Sequence, residues 1–209
     1  WDDDIDVSMP IKDYRKFLEI AENDLPEHVF LQTNKTDPGY KQYFAKLRNN
    51  NSTFIEHHES KSDNYHHGIY IDIFPSVYYP KMPYKLRKVL LYFIVRSRHN
   101  VFVKNKNIIV NFIIYSFCKT LFFIFKPFKS NEVAQTPEDN GYYYSIPDTL
   151  IYPLGKINFE NSMYPAPRDV HNYLIKMYGE NYITPPPENT RISHARIILP
   201  DTPYQNAEY

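Results

Sequence analysis

Four aspartates stand within five positions near the start of the chain, in Trp1-Asp2-Asp3-Asp4-Ile5-Asp6-Val7. Side chains alternate faces along an extended strand, so Asp4 and Asp6 are expected to point the same way, with Ile5 turned into the core. Two carboxylates side by side repel unless a cation lies between them. A magnesium-type ion, held by one or two carboxylates plus substrate phosphates, meets that need. The alternative is a solvated acidic turn or a calcium loop, but no glycine stands near to make the calcium turn.

A second stretch carries the same chemistry. In Gly68-Ile69-Tyr70-Ile71-Asp72-Ile73-Phe74-Pro75, the three isoleucines share one face of a strand and Tyr70, Asp72 and Phe74 the other. A lone carboxylate inside an apolar strand is costly unless it is paired or binds a metal. Asp72 is therefore either a hydrogen-bonded structural residue or a third metal carboxylate opposite Asp4 and Asp6. The histidines His57-His58 and His66-His67, with Glu59 and Asp63 between them, form a third group. Their residue types suit zinc, but their spacing matches no defined zinc motif, and a solvated loop beside the cleft is the plainer reading.

Bulk properties narrow the field. With Lys+Arg 24 against Asp+Glu 24, the formal net charge is +0, which gives no electrostatic footprint for nucleic acid. One cysteine excludes an intrachain disulfide. The chain opens on Trp1, already in a strand-like stretch, and reads as a fragment lacking its N-terminal part.

Around these residues the periodicity predicts a helix over 10–23, with Pro10 in its first turn and Ser8 as cap. It predicts strands over 28–32, 52–57 and 68–75, a turn at 37–39 and a short helix over 40–47. The run 108–125 is the most hydrophobic in the chain. Its only polar stripe is narrow, with Asn111, Tyr115 and Lys119 at four-residue steps. It is a helix buried in the domain, one lying in a membrane interface between basic flanks, or a span. Residues 131–140 read as a loop, 142–144 and 150–152 as short extended pieces, and 156–164 as a hairpin. A helix over 169–178 follows, capped by Asp169 and stopped by Gly179, and the tail from Pro200 reads as weakly structured.

Taken together, these motifs resemble the LicD family. The resemblance rests on Trp1 to Val7 followed by Met9-Pro10, Tyr14 and Phe17; on Ile69 to Pro75; on Phe159-Glu160 before Pro165-Ala166-Pro167; and on Leu174 through Tyr178-Gly179 to Pro186-Pro187-Glu188. Arg48 and Thr53 also fall where that family often has an Arg and a Thr. The resemblance spans nearly the whole chain, 1–209, as one domain. The exception is 76–150, where the family varies and 84–128 reads as a hydrophobic helical insertion.

It implies an α+β, nucleotidyltransferase-like fold, a small mixed sheet flanked by helices. It also implies metal-dependent transfer of a phospho-alcohol, such as phosphocholine or ribitol phosphate, from a CDP-activated donor. The acceptor would be a cell-surface glycan, lipopolysaccharide or teichoic acid, in some cases lipid-linked. Asp4, Asp6 and Asp72 are the catalytic and metal-binding positions, with Mg²⁺ or Mn²⁺. Arg48, Thr53, Arg191 and His194 are candidate substrate-binding residues. The expected place is the cytoplasm or the inner face of a membrane, touched through 108–125. A glycine-rich, donor-phosphate segment is expected upstream of Trp1. The alternatives are a sugar-1-phosphate transferase of capsular polysaccharide synthesis and a non-catalytic glycan-binding or assembly module.

Overall fold

The computed structural model describes residues 4–60, 62–102, 107–140 and 143–208. Asp2 and Asp3 of the acidic run, Lys104 and Lys106 of the basic flank, and Tyr142 of the expected extended piece lie outside the described residues. The chain divides into two compact units: Trp1–Ser76 with Pro186–Tyr209, and Val77–Pro185. The sequence read as one domain; its hydrophobic segment 84–128 falls wholly inside the second unit. The class is α+β, and the first sheet contains both parallel and antiparallel strand pairs.

In the first unit, β1 (Asp6–Pro10) runs straight into α1 (Ile11–Asp24), and β2 (Val29–Gln32) follows. Ser8 does not cap α1. It lies in β1, and its hydroxyl donates to the Phe74 carbonyl at 3.2 Å, while Pro10 takes the cap position. The helix expected over 40–47 is corrected: Ala45–Asn49 is a strand, β3. Ala-Lys-Leu-Arg alternates, and pairing with β2 on one side and with β5 (Tyr70–Pro80) on the other satisfies the β3 backbone. β1 lies along the opposite side of β5, parallel to it, with Asp6 facing Asp72.

The pleat then sorts the side chains. Leu31, Ala45 and Ile73 are buried on one face against Tyr14 and Ala21 of α1, with Met9, Phe17, Leu18 and Leu47 around them. This is the core that the 3.6-residue pattern of α1 requires. Ile5 does not join it. Ile5 is half exposed and Val7 is exposed, because the packing of β1 against α1 begins only at Met9. A separate pair, β4 (Thr53–Glu56) with β10 (Ala195–Leu199), brings in the C-terminal segment. The tail beyond Pro200 is more ordered than its composition suggests. The Thr53 hydroxyl donates to the Thr202 carbonyl at 2.6 Å, Tyr204 packs 4.5 Å from the His66 ring, and Ala207 is buried.

In the second unit, α2 (Tyr84–Phe102) and α3 (Ile108–Ile124) pack on the end of β5 and on β6 (Lys129–Gln135). Their core is Tyr79, Leu90, Leu91, Ile94, Cys118, Phe122 and Ala134. The stretch expected as a loop from 131 begins as strand β6, which lies between β5 and β7 (Ile146–Pro147) in the sheet. Residues 150–152 are not extended throughout: Asp148–Ile151 is a single helical turn, α4. The hairpin is present as β8 (Gly155–Phe159) and β9 (Ser162–Ala166). In α5 (Val170–Tyr178), Asp169 accepts the Asn172 N–H at 3.1 Å, and Gly179 at φ 87° ends the helix. No helix among the described residues is long and apolar enough to cross a membrane.

Gly68 has no room for a side chain. A Cβ there would stand 2.1 Å from the Asn49 carbonyl oxygen, a backbone atom that cannot swing aside. Gly68→Ala is expected to destabilise the protein by about 2 kcal/mol, as overpacking does. Urea unfolding of the two proteins measures it, read as a lower midpoint at unchanged slope.

Candidate functional site

The face of the first sheet that α1 leaves uncovered is polar. By register Asp6 faces Asp72, Asp72 faces Lys46, and Arg48 faces Tyr70, so two charged strands flank β5 on one surface. The Asp72 backbone N–H donates to the Ile5 carbonyl at 3.1 Å, which ties the acidic run to the middle of β5. One ligand oxygen from each of Asp4, Asp6 and Asp72 lies within 4.8 Å of the others. Three carboxylates so close favour a bound cation or a bound proton.

One cation is supplied by the chain. The Lys46 ammonium stands 2.9 Å from Asp72 Oδ1 and 3.3 Å from the centre of the Tyr70 ring, and both charged side chains are buried. Burial pushes the Asp72 carboxyl up, against the pull of Lys46; burial pushes the Lys46 ammonium down, against the pull of Asp72. Burial and the neighbouring Glu56 hold the Tyr70 phenol well above its usual range. It therefore stays protonated and donates to Glu56 Oε1 at 3.0 Å.

Arg48 is 1% exposed and is held in place from behind. Its Nε donates to Gln32 Oε1 at 2.6 Å, its Nη1 donates to the Gly68 carbonyl at 2.7 Å, and its guanidinium lies 4.6 Å from the Tyr70 ring. Gln32 in turn donates to Asp37 Oδ2 at 2.8 Å, and Asp37 also accepts the His66 N–H. A cavity of about 710 Å³ opens over this face. Asp4, Asp72, Lys46, Arg48, Glu56 and Tyr70 border it, with Tyr40, Phe44, Tyr65 and His194 further round. That volume is in the range of small-ligand sites.

Of the candidate residues, the structure brings Asp4, Asp6 and Asp72 together and places Arg48 and His194 on the cavity wall. Thr53 and Arg191 are not part of the wall. Thr53 is fully buried with its hydroxyl on Thr202, and Arg191 Nε donates to the Pro186 carbonyl at 2.8 Å within its own loop. Lys46 and Glu56 escaped the sequence reading. Lys46 fell in the segment taken for a helix, where an apolar/charged alternation over 45–48 was the available signal.

The histidines separate into two kinds. His57 and His58 are exposed, whereas His66 and His67 are buried rather than solvated. The only carboxylate, cysteine and histidine group spaced for a metal among the described residues is the aspartate trio, so the zinc reading of the loop gains no support. His66 is structural. Its Nδ1 accepts the Gly68 N–H at 2.9 Å, which leaves Nε2–H to donate to Asn50 Oδ1 at 2.9 Å, and its ring stacks on Phe30. Burial, then the Arg48 charge, lower its pKa to about 4. Glu59 lies 3.5 Å from the His67 ring. Burial would raise its pKa, but its hydrogen-bonding neighbours outweigh that and hold it at about 2.

Two outcomes follow from these charges. Lys46→Met, which strands Asp72, is expected to cost about 3 kcal/mol, and adding Asp72→Asn should recover much of that, read as a double-mutant cycle in urea. The second concerns pH. His66 binds a proton more weakly folded than unfolded, so its contribution is complete above 6.5 and is lost as pH falls toward about 4. The melting temperature should fall across that window, with up to about 3 kcal/mol at stake, and His66→Gln should flatten the slope there.

Compared with models of known protein families, with curated proteins and with solved structures, the chain matches none.

Proposed function

We propose that the chain is the catalytic part of a metal-dependent phosphotransferase of LicD type, moving a phospho-alcohol from a CDP-activated donor to a glycan hydroxyl. The observation that carries this reading is the convergence of Asp4, just before β1, and Asp6, its first residue, on Asp72 of β5 at the edge of a cavity. The donor set fits a hard divalent cation, since all three ligands are carboxylates and neither His nor Cys is among them. Mg²⁺ or Mn²⁺ held there would supply neutralisation of pyrophosphate charge.

The chain's own residues supply the rest. Arg48, fixed by Gln32 and Gly68, and Lys46 present positive charge to phosphate oxygens; a fixed guanidinium suits that geometry. Asp72, whose proton affinity burial raises, is the carboxylate assigned to take the acceptor hydroxyl proton. The hydroxyl oxygen then bonds to the β-phosphorus, the bond from that phosphorus to the bridging oxygen breaks, and CMP leaves. Tyr70 and Phe44 give the cavity aromatic faces for a base or a sugar. A nucleotidyltransferase-like arrangement and a cytoplasmic place at the inner face of a membrane belong to the same reading.

The test is CMP release from CDP-choline and CDP-ribitol, with and without Mg²⁺. Asp72→Asn and Asp4→Asn should each lower it by at least ~100-fold with far-UV circular dichroism retained, Asp4→Asn at unchanged melting temperature and Asp72→Asn at a lower one because it leaves Lys46 without its partner, and chelation should abolish it. Unchanged turnover by Asp72→Asn removes Asp72 from the chemistry. Turnover confined to UDP- or GDP-linked donors points to the sugar-1-phosphate alternative. Glycan binding with no turnover of any donor points to a binding module.

A further inference from the structure

In the second unit α3 packs inward through Ile114, Cys118, Leu121 and Phe122 and is apolar on its outer side as well. The single polar stripe of α3 is turned to partners inside the unit. Asn111 Oδ1 accepts from Asn100 of α2 at 3.0 Å, the Tyr115 hydroxyl donates to the buried Glu138 at 2.9 Å, and Lys119 pairs with the same carboxylate. The apolar residues that recur at helical spacing on the other side are left in the open. Ile109 is 72% exposed, Ile113 60%, Phe117 62% and Phe123 68%, and Phe112 and Ile124 are also exposed. A helix at a water-facing surface normally turns its polar stripe outward. Polar residues turned to internal partners with apolar ones outside is the arrangement of a helix whose outer face meets lipid. So large a contiguous apolar surface marks an interaction site.

The charge of the segment indicates which partner. Residues 73–131 hold 11 of the 24 Lys and Arg residues and none of the 24 Asp and Glu residues. Arg87, Arg98 and Lys119 are answered by Glu132, Asp139 and Glu138. Lys81, Lys85, Lys88, Arg96, Lys126 and Lys129 are exposed. A protein partner covering this face would need acidic complementarity but no acyl chains. An anionic bilayer offers both headgroup charge and an apolar interior to Ile and Phe. With 17 residues, α3 is about 25 Å long, and it does not meet the criterion for a span.

We propose that the α2–α3 pair is a peripheral membrane-docking surface, with α3 lying in the plane of an anionic bilayer and its Ile/Phe face inserted among the acyl chains. The docking does not depend on the transferase reading.

The experiment is co-sedimentation of the whole chain with vesicles of phosphatidylcholine alone and with about 30% phosphatidylserine. Binding to the anionic vesicles is expected, at least about tenfold stronger than to the neutral ones and weakened by about 0.5 M salt. Ile113→Glu with Phe117→Glu should lower that binding at least about tenfold at unchanged melting temperature, because both side chains are already in solvent. Lys126→Glu with Lys129→Glu should weaken binding to anionic vesicles and leave the neutral ones unaffected, an independent check if the first pair perturbs folding. Failure to bind either vesicle, or undiminished binding by the Ile113/Phe117 variant, overturns the proposal. So does self-association of the chain, abolished by that variant, in place of vesicle binding; the face would then be an interface between copies.

Discussion

The first unit depends on the contact between Asp72 and Lys46 across two neighbouring strands. Both groups are nearly out of water, and neither would be ionised there alone. Their 2.9 Å separation fixes the register of β3 against β5, because a one-residue slip would turn Lys46 toward α1 and bring Ala45 or Leu47 to the carboxylate. The same alternation gives α1 its apolar floor and gives the opposite face its charge. Core and site are two sides of one pleat, and neither can be changed in register without the other.

Behind that pair lies a relay of neutral and charged hydrogen bonds that leaves Arg48 little freedom. Gln32, Asp37, His66 and Gly68 all face inward, and each satisfies a group that burial would otherwise leave costly. His66 belongs here rather than to any metal site: a ring that accepts a backbone N–H at Nδ1 and donates at Nε2 has no lone pair to offer. A rigid guanidinium beside a cavity loses less freedom on binding an anion than a mobile lysine would.

The sequence disclosed the carboxylates because they violate local rules: an acidic run beside strand residues, and a lone aspartate inside an apolar strand. It also disclosed α1, the 156–164 hairpin and the capped helix after Asp169, where period and cap chemistry agree. It did not disclose Lys46. Ala, Lys, Leu and Arg are all good helix formers, and four residues are too few to separate a period of 2 from one of 3.6. Pairing on both sides decided the matter, and pairing is not written locally. Ser8 failed as a cap for the same reason, its hydroxyl having a carbonyl on β5 within reach. Ile5 failed because alternation assigns a side chain to a face but does not say whether anything covers that face.

That last distinction applies with most force to α3. Its stripe of Asn111, Tyr115 and Lys119 is visible in the sequence, and periodicity alone would turn it to water. The direction is set by a group far along the chain: Glu138 is buried and needs donors, and Tyr115 and Lys119 are the donors that reach it. Glu138 together with the core seats of Cys118 and Phe122 fixes the rotation of the helix and leaves Ile109, Ile113, Phe117 and Phe123 outside. The spacing of apolar residues says that two faces of a helix differ, without saying which of them points outward. That choice is made by where the rest of the unit has polar groups in need of partners and apolar groups to cover, so the outward face of α3 is set by the hydrogen bonds and the packing beneath it.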